Sequence, residues 1–381
     1  MKKRIGTMML LIGILFMLSI PVSAKESEDM IRLPDGFSDA AEALPDESRN
    51  WLPDGFFSKN PEEAGQAVMD LVEVEYLFDA VFKMIGIELS GAVKLLATLS
   101  GLLILSAVFG AVQSSISSDR LSTVFGFCST AAIFSAVASL QLNQMKGVSL
   151  FFERLGALMS SMIPVMGSLW AMGGNVATAA SGTGTLYVFL AVCQRVCAVS
   201  VLPVCGVMTV LALCNALSPE VGVRGIAGAL KKIYTFSLGT VMTLLLASLS
   251  GGSALTAAAD STAARAAKLA TSTAIPIVGG SVGETLRTLS AGVQYMKEIV
   301  GIGGVILLGI LSLPVLISLI LTRLVFLLSV GVAELLGCDR EAKLLSELGS
   351  AWGIMIAVVA MSTVLFVLAL VLFIKTVVAV G

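Results

Sequence analysis

Beyond its first ninety residues the chain is dominated by long apolar runs. They occupy 95–113, 122–142, 196–217, 233–252, 300–322 and 351–374, each near the roughly 20 residues a helix needs to cross hydrocarbon. Two further regions are ambiguous. One is 158–193, whose apolar start gives way to Gly, Ser, Thr and Ala; the other is 324–337, which is short and contains Glu334. The pattern predicts an all-α fold, a polytopic α-helical integral membrane protein of about six to eight spans. Upstream, Val68, Leu71, Val72, Val74, Leu77, Phe78, Val81 and Phe82 recur at helical spacing between Asp and Glu, which predicts an amphipathic helix at the outer interface leading into the first span.

The extreme N-terminus has a different pattern. Lys2, Lys3 and Arg4 precede an apolar core from Thr7 to Ile20, and Pro21-Val22-Ser23-Ala24 supplies small residues before a polar stretch. This is the layout of a cleavable signal peptide, with cleavage expected after Ala24. The core is short for a permanent span. The five expected regions are therefore a signal at 1–24, an acidic extracytoplasmic arm with the amphipathic helix at 25–90, a first membrane region at 91–252, a polar helix and Gly loop at 253–299, and a C-terminal membrane region at 300–381.

Cleavage would leave the new N-terminus outside. Arg120 then falls in an inner loop and Lys375 suggests an inner C-terminus, so an odd span count is expected and seven fits. The arm holds a repeat, Leu33-Pro34-Asp35-Gly36-Phe37 and Leu52-Pro53-Asp54-Gly55-Phe56, in which Pro-Asp-Gly signals a turn between apolar flanks. Two solvated turns in a flexible arm, or two turns that dock on a partner, both fit.

Composition narrows the class. The chain is 56% hydrophobic and 13% charged, with mean hydropathy +0.95, against about a quarter charged in aqueous domains. No nucleic-acid footprint is visible in it. There is no histidine, which removes the commonest general base and imidazole ligand together. The six cysteines lie mostly in apolar runs and form no disulfide framework. Cys193 and Cys197 would share a helix face, but without a nearby His or carboxylate they lack a tetrahedral ligand set.

Some features go beyond anchoring. Pro164, Pro203 and Pro314 each stand in an apolar run, where proline removes a backbone donor and kinks a helix; broken helices and the weak likeness of 145–165 to 296–315 are transporter traits. The segment Gly251 to Ala274 is mostly Ala, Ser, Thr and Gly with Asp260, Arg265 and Lys268 as its charges. Small residues at Ala254, Ala258, Thr262, Ala266 and Ala270 would admit a neighbouring helix, or the polar side would line a cavity. The glycines of Ile275-Pro276-Ile277-Val278-Gly279-Gly280-Ser281-Val282-Gly283 lack the Gly-Lys-Ser/Thr of a phosphate loop. A loop before the helix holding Glu284, Arg287 and Lys297 is expected instead. Arg195 lies between apolar runs and should be paired, snorkelling or facing water.

A signal, an acidic arm, a polytopic body and the stretch Asp260 through Gly283, supported by the region up to Leu313-Pro314-Val315, together resemble the stage III sporulation protein AE family of endospore-forming Firmicutes. The resemblance implies a non-enzymatic multi-pass subunit of the complex that connects mother cell and forespore, set in the mother-cell membrane that faces the forespore, with other stage III sporulation proteins as partners. It brings no catalytic motif and no cofactor. Arg195, Asp260, Arg265, Lys268, Glu284 and Arg287 stay candidates for conduit lining or helix packing, and self-association stays open. The alternative from the residues alone is a permease acting singly on a small solute.

Overall fold

The computed structural model describes residues 32–45, 49, 51–72, 74–114, 119–196, 200–217, 225–226, 228–241, 243–244, 247, 260, 262, 279–376 and 378. The signal peptide, Ala24 and most of 251–278 lie outside them. The arm holds α1 (Gly36–Asp39), continued by a 3-10 turn at Ala40–Ala43, and α2 (Pro61–Val72). The body is built from α3 (Val74–Ser114), α4 (Asp119–Met172), α5 (Val176–Val196), α6 (Leu202–Leu217), α7 (Gly279–Leu335) and α8 (Asp339–Lys375). No strand occurs among the described residues. Five helices, α3, α4, α5, α7 and α8, contain stretches long and apolar enough to cross a membrane, so the chain is an all-α, polytopic membrane protein.

Several expected boundaries disappear. The run 122–142 and the apolar start of 158–193 lie on one helix, α4, whose 54 residues reach about 80 Å at 1.5 Å per residue. The intervening Asn143, Gln144, Lys146, Glu153 and Arg154 lower hydropathy, but Gln, Lys, Glu and Arg are good helix formers, so the helix continues. In the same way 300–322 and 324–337 share α7. Pro164 and Pro314 sit inside these continuous helices. Pro203 is the second residue of α6 and directly follows a π-helical stretch at Ser200 and Val201.

Two helix pairs are joined by turns of the same construction. After α4, Gly174 takes a positive φ of 79° while Asn175 N–H reaches back to the Trp170 carbonyl at 2.9 Å. After α7, Gly337 has φ 72° and Cys338 N–H bonds the Ala333 carbonyl at 2.8 Å. Each is a glycine-terminated stop in which the residue after the glycine closes the old helix. That residue also begins the next, since the Asn175 and Cys338 carbonyls accept from Ala179 and Ala342. Such short turns force antiparallel neighbours.

Contacts along the bundle give the direction of every passage. Thr183 packs at Gly167, Gln194 at Gly156, and Gln141 bonds Thr209, so α5 and α6 together descend along the rising α4. Ile374 meets Gly301, Leu370 meets Gly304 and Trp352 stacks edge-on with Phe326, so α8 rises along the falling α7. Lys231 bonds Ser350, Tyr234 bonds Ser200 and Asp260 bonds the start of α5, which marks a return between α6 and α7.

The arm is seated rather than free. Leu33 N–H bonds the Lys59 carbonyl at 3.0 Å, tying the first repeat to the residues just after the second. The Lys59 ammonium lies 2.6 Å from the Asp35 carboxylate and holds that carboxyl below its usual range, chiefly through their hydrogen bond. Phe37 and Phe56, the last residue of each repeat, stack with ring centroids 5.8 Å apart, and both are buried. Their seat is α7 at Gly303, where a Cβ would come 3.0 Å from the Phe37 ring. Gly36 meets α4 at Val165. Asn60 caps α2, its Oδ1 accepting from Glu62 N–H at 3.0 Å, with Pro61 at the first helical position. The apolar flanks of the repeat therefore dock within the chain, while Asp35 and Asp54 at its two turns stay exposed.

This seating bears on the expected topology. The arm meets α7 at Gly303 and the end of α8 meets it at Gly301, so the arm and the C-terminal end of α8 lie at the same end of the bundle. The expectation of an inner C-terminus rested on a single lysine, Lys375, and the orienting bias is a property of several charges in a loop.

Two outcomes are expected. In a chain whose own cysteines are replaced, a membrane-impermeant maleimide should label Asp39→Cys and Lys375→Cys from the same side of intact cells and Asp339→Cys only after lysis; labelling of Lys375→Cys only after lysis would reject the shared end. Phe37→Ala should cost about 3–5 kcal/mol of arm docking, seen as faster proteolysis within the arm. Unchanged cleavage would mean that the ring does not seat it.

Candidate functional site: polar contacts buried between helices

Among the expected site residues, Asp260 has the most specific surroundings. Its carboxylate is buried and accepts three bonds at the start of α5: from Ala177 N–H at 2.9 Å, from Thr178 N–H at 3.0 Å and from the Thr178 hydroxyl at 2.5 Å. The first N–H groups of a helix have no partner within it and carry the positive end of its dipole. Asp260 supplies an N-cap from 82 positions down the chain. The buried carboxylate is thus compensated by backbone, which holds Asp260 at the start of α5.

Arg195 lies in the last turn of α5 and is exposed. There its charge complements the carbonyl end of the helix. The backbones of Glu284 and Arg287 belong to α7, while their side chains, like Arg265 and Lys268, lie outside the described residues; so does most of the Ala-rich stripe. The structure does not bring these candidates together.

Polar side chains that drew no attention in the sequence join the helices instead. Gln141 of α4 bonds Thr209 of α6, and Gln144 reaches Ser318 at 3.0 Å and Thr322 at 3.3 Å on α7. Asn215 of α6 bonds Glu347 of α8, and the Arg323 guanidinium lies against Gly353. Near the arm, Lys297 is fully buried: its ammonium bonds the Thr376 carbonyl and sits 5.6 Å from the centre of the Phe373 ring. A cation there satisfies the end of α8, where carbonyls lack partners. Glu341 is buried where α3, α4 and α8 meet.

The arrangement fixes register more than it prepares chemistry. In an apolar surrounding each unpaired polar group is costly, so each pair favours one alignment of its two helices. Among the described residues no group of three or more His, Cys, Asp or Glu could hold a metal ion. Cys193, Cys205 and Cys338 are buried, Cys128 and Cys214 are exposed, and all five are free. Burial pushes the Cys338 thiol up, with the neighbouring Glu341 and Asp339 charges acting in the same direction; it stays a thiol. A signal for the interhelical pairs did exist, in Gln and Asn within apolar runs, but their partners are tens to hundreds of residues away.

Comparison with known proteins gives a consistent picture. The family model of stage III sporulation protein AE matches residues 64–377. The stage III sporulation protein AE of Bacillus subtilis (strain 168) is 22% identical over 321 residues, covering 81% of this chain and 79% of that protein. No solved structure matches the chain. The family match begins inside α2, downstream of both copies of the arm repeat.

Removing the Asp260 cap should be measurable. Asp260→Ala should destabilise the purified chain by about 2 kcal/mol, while Asp260→Asn, which keeps one acceptor oxygen and turns an NH2 toward the other N–H, should fall between Asp260→Ala and the parent in thermal unfolding. An Asp260→Ala variant as stable as the parent would remove the capping role.

Proposed function

The chain belongs to the stage III sporulation protein AE family and is a sporulation membrane protein; on that premise we propose that it is a non-enzymatic, multi-pass subunit of the channel complex linking mother cell and forespore. The observation that carries this reading is the family match across all six body helices. In this reading the chain sits in the mother-cell membrane that faces the forespore, with arm and C-terminus in the space between the two membranes. The partners are other stage III sporulation proteins, and the seated arm offers them a fixed acidic surface: Asp39, Glu42, Asp54, Glu62, Glu63 and Asp70 are exposed.

The register-fixing contacts support a scaffold rather than a carrier. A permease that alternates access moves one set of helices against another, commonly about broken helices. Here Pro164 and Pro314 leave their helices continuous, and polar pairs tie α4 to α6 and α7, and α6 to α8. Absence of histidine from the whole sequence weighs against acid–base chemistry at neutral pH.

Deleting the gene should leave vegetative growth intact and block spore development. The tagged chain should co-purify from sporulating cells with other stage III sporulation proteins. Normal spore yield in the deletion strain, or uptake of a solute by the chain alone in liposomes, would reject this reading in favour of a permease.

A further inference from the structure

Gln144 of α4 bonds Ser318 and Thr322 of α7, and Met162 packs at Gly304, so residues 144 to 162 of α4 lie alongside 322 to 304 of α7. Leu370 of α8 meets the same Gly304, and Trp352 meets Phe326. This depth of the bundle is therefore shared by the apolar runs of α7 and α8, the two most apolar candidate spans, and hydrocarbon must cover it.

Over this stretch α4 turns Phe151, Phe152, Leu155, Leu158 and Met159 inward, all of them buried. Its exposed residues are Lys146, Ser149, Leu150, Glu153, Ala157 and Ser160. Their three- and four-residue spacing puts them on one helix face, and only Leu150 among them is large and apolar. The face continues with Ser135, Ser139 and Asn143 toward the start of α4 and with Ser168 toward its end. Elsewhere the chain shows what a face made for lipid looks like: α3 exposes Ile104, Leu105 and Val108, and α7 exposes Ile320 and Leu324.

Apolar inside and polar outside is the pattern of a helix that meets water; acyl chains give an outer face no reason to be polar. Charged residues at span depth face a water-filled cavity or a partner charge. Among the described residues neither Lys146 nor Glu153 is ion-paired. Glu153 stands midway along the stretch, about 13 Å from either end at 1.5 Å per residue, too far for its short side chain to snorkel.

We propose that this face of α4 is wet: it forms one wall of a water-filled passage across the bilayer that admits small hydrophilic solutes, closed on its other sides by further subunits of the complex. The inference rests on the channel reading above and assigns the wall. Its stretch along α7 exposes one basic and one acidic residue, Lys146 and Glu153, and rings of a single sign are what select ions by charge. The passage therefore selects for polarity rather than for one sign of charge.

The test uses the full chain, with its own cysteines replaced, in membranes of sporulating cells that retain the complex. Single cysteines are treated with a small charged thiosulfonate, which attacks thiolate and so needs a thiol in water. Ile320→Cys is the reference, because Ile320 lies between the two α7 residues that bond Gln144 and is itself exposed. Ser149→Cys, Glu153→Cys and Ser160→Cys should react at least about tenfold faster than Ile320→Cys, since each unit by which apolar surroundings raise a thiol pKa removes a factor of ten in thiolate. Slow reaction of all four would mean that lipid or protein covers the face, and would overturn the passage. Fast reaction of all four would place this depth outside hydrocarbon and overturn it equally. The two serine replacements exchange one exposed oxygen for sulfur, so folding is preserved even where Glu153→Cys disturbs it. An unlabelled α4 in a strain whose deletion blocks sporulation rejects the passage alone, whereas normal sporulation of the deletion strain rejects the channel reading.

Discussion

The pairing of α7 with α8 is the interaction on which the rest of the bundle depends. Its lower end is closed by the Gly337 turn, and its upper end by Lys297, which holds the last carbonyls of α8. Between them Gly301 and Gly304 admit Ile374 and Leu370, and Phe326 meets Trp352 edge to face. Every other part attaches to this pair. The arm seats on Gly303, α4 bonds α7 through Gln144, α6 lies against Ala351 and Glu347, and the α3–α4 hairpin reaches Glu341. Because apolar packing between membrane helices is nearly indifferent to sliding, the polar contacts and small residues decide which alignment is unique.

Much of this was legible in the residues. Apolar runs at 95–113, 300–322 and 351–374 fall on α3, α7 and α8. What could not be read was where a helix stops. A polar stretch such as Asn143 to Arg154 interrupts hydropathy, and hydropathy is how a span is recognised; the helix itself needs only its own backbone bonds and a partner face. The real stops were written in Gly174 and Gly337, whose positive φ suits glycine best. Proline was a poorer guide than glycine.

The site was legible in part. Asp260 stood out as a charge in a stretch of small residues, but capping a helix that begins at Val176 is a tertiary fact with no local signature. Arg195 drew attention as a charge between apolar runs and lies at a helix end. Ser106, Ser129 and Glu341 gave no joint signal, because each comes from a different helix. The arm repeat was visible as two turns with apolar flanks, and its seat was not, since the decisive feature on the other side is the lack of a side chain at Gly303.

That seat has a temporal side. The arm is among the first parts of the chain to leave the ribosome, yet Gly303 and the neighbouring surface of α7 are made near the end of synthesis. Until then Phe37 and Phe56 have only each other and Phe57 to pack against. Gly36 can meet Val165 of α4 earlier, but the seat of the two rings at Gly303 is completed only once α7 is made, so the full docking of the arm is a late event.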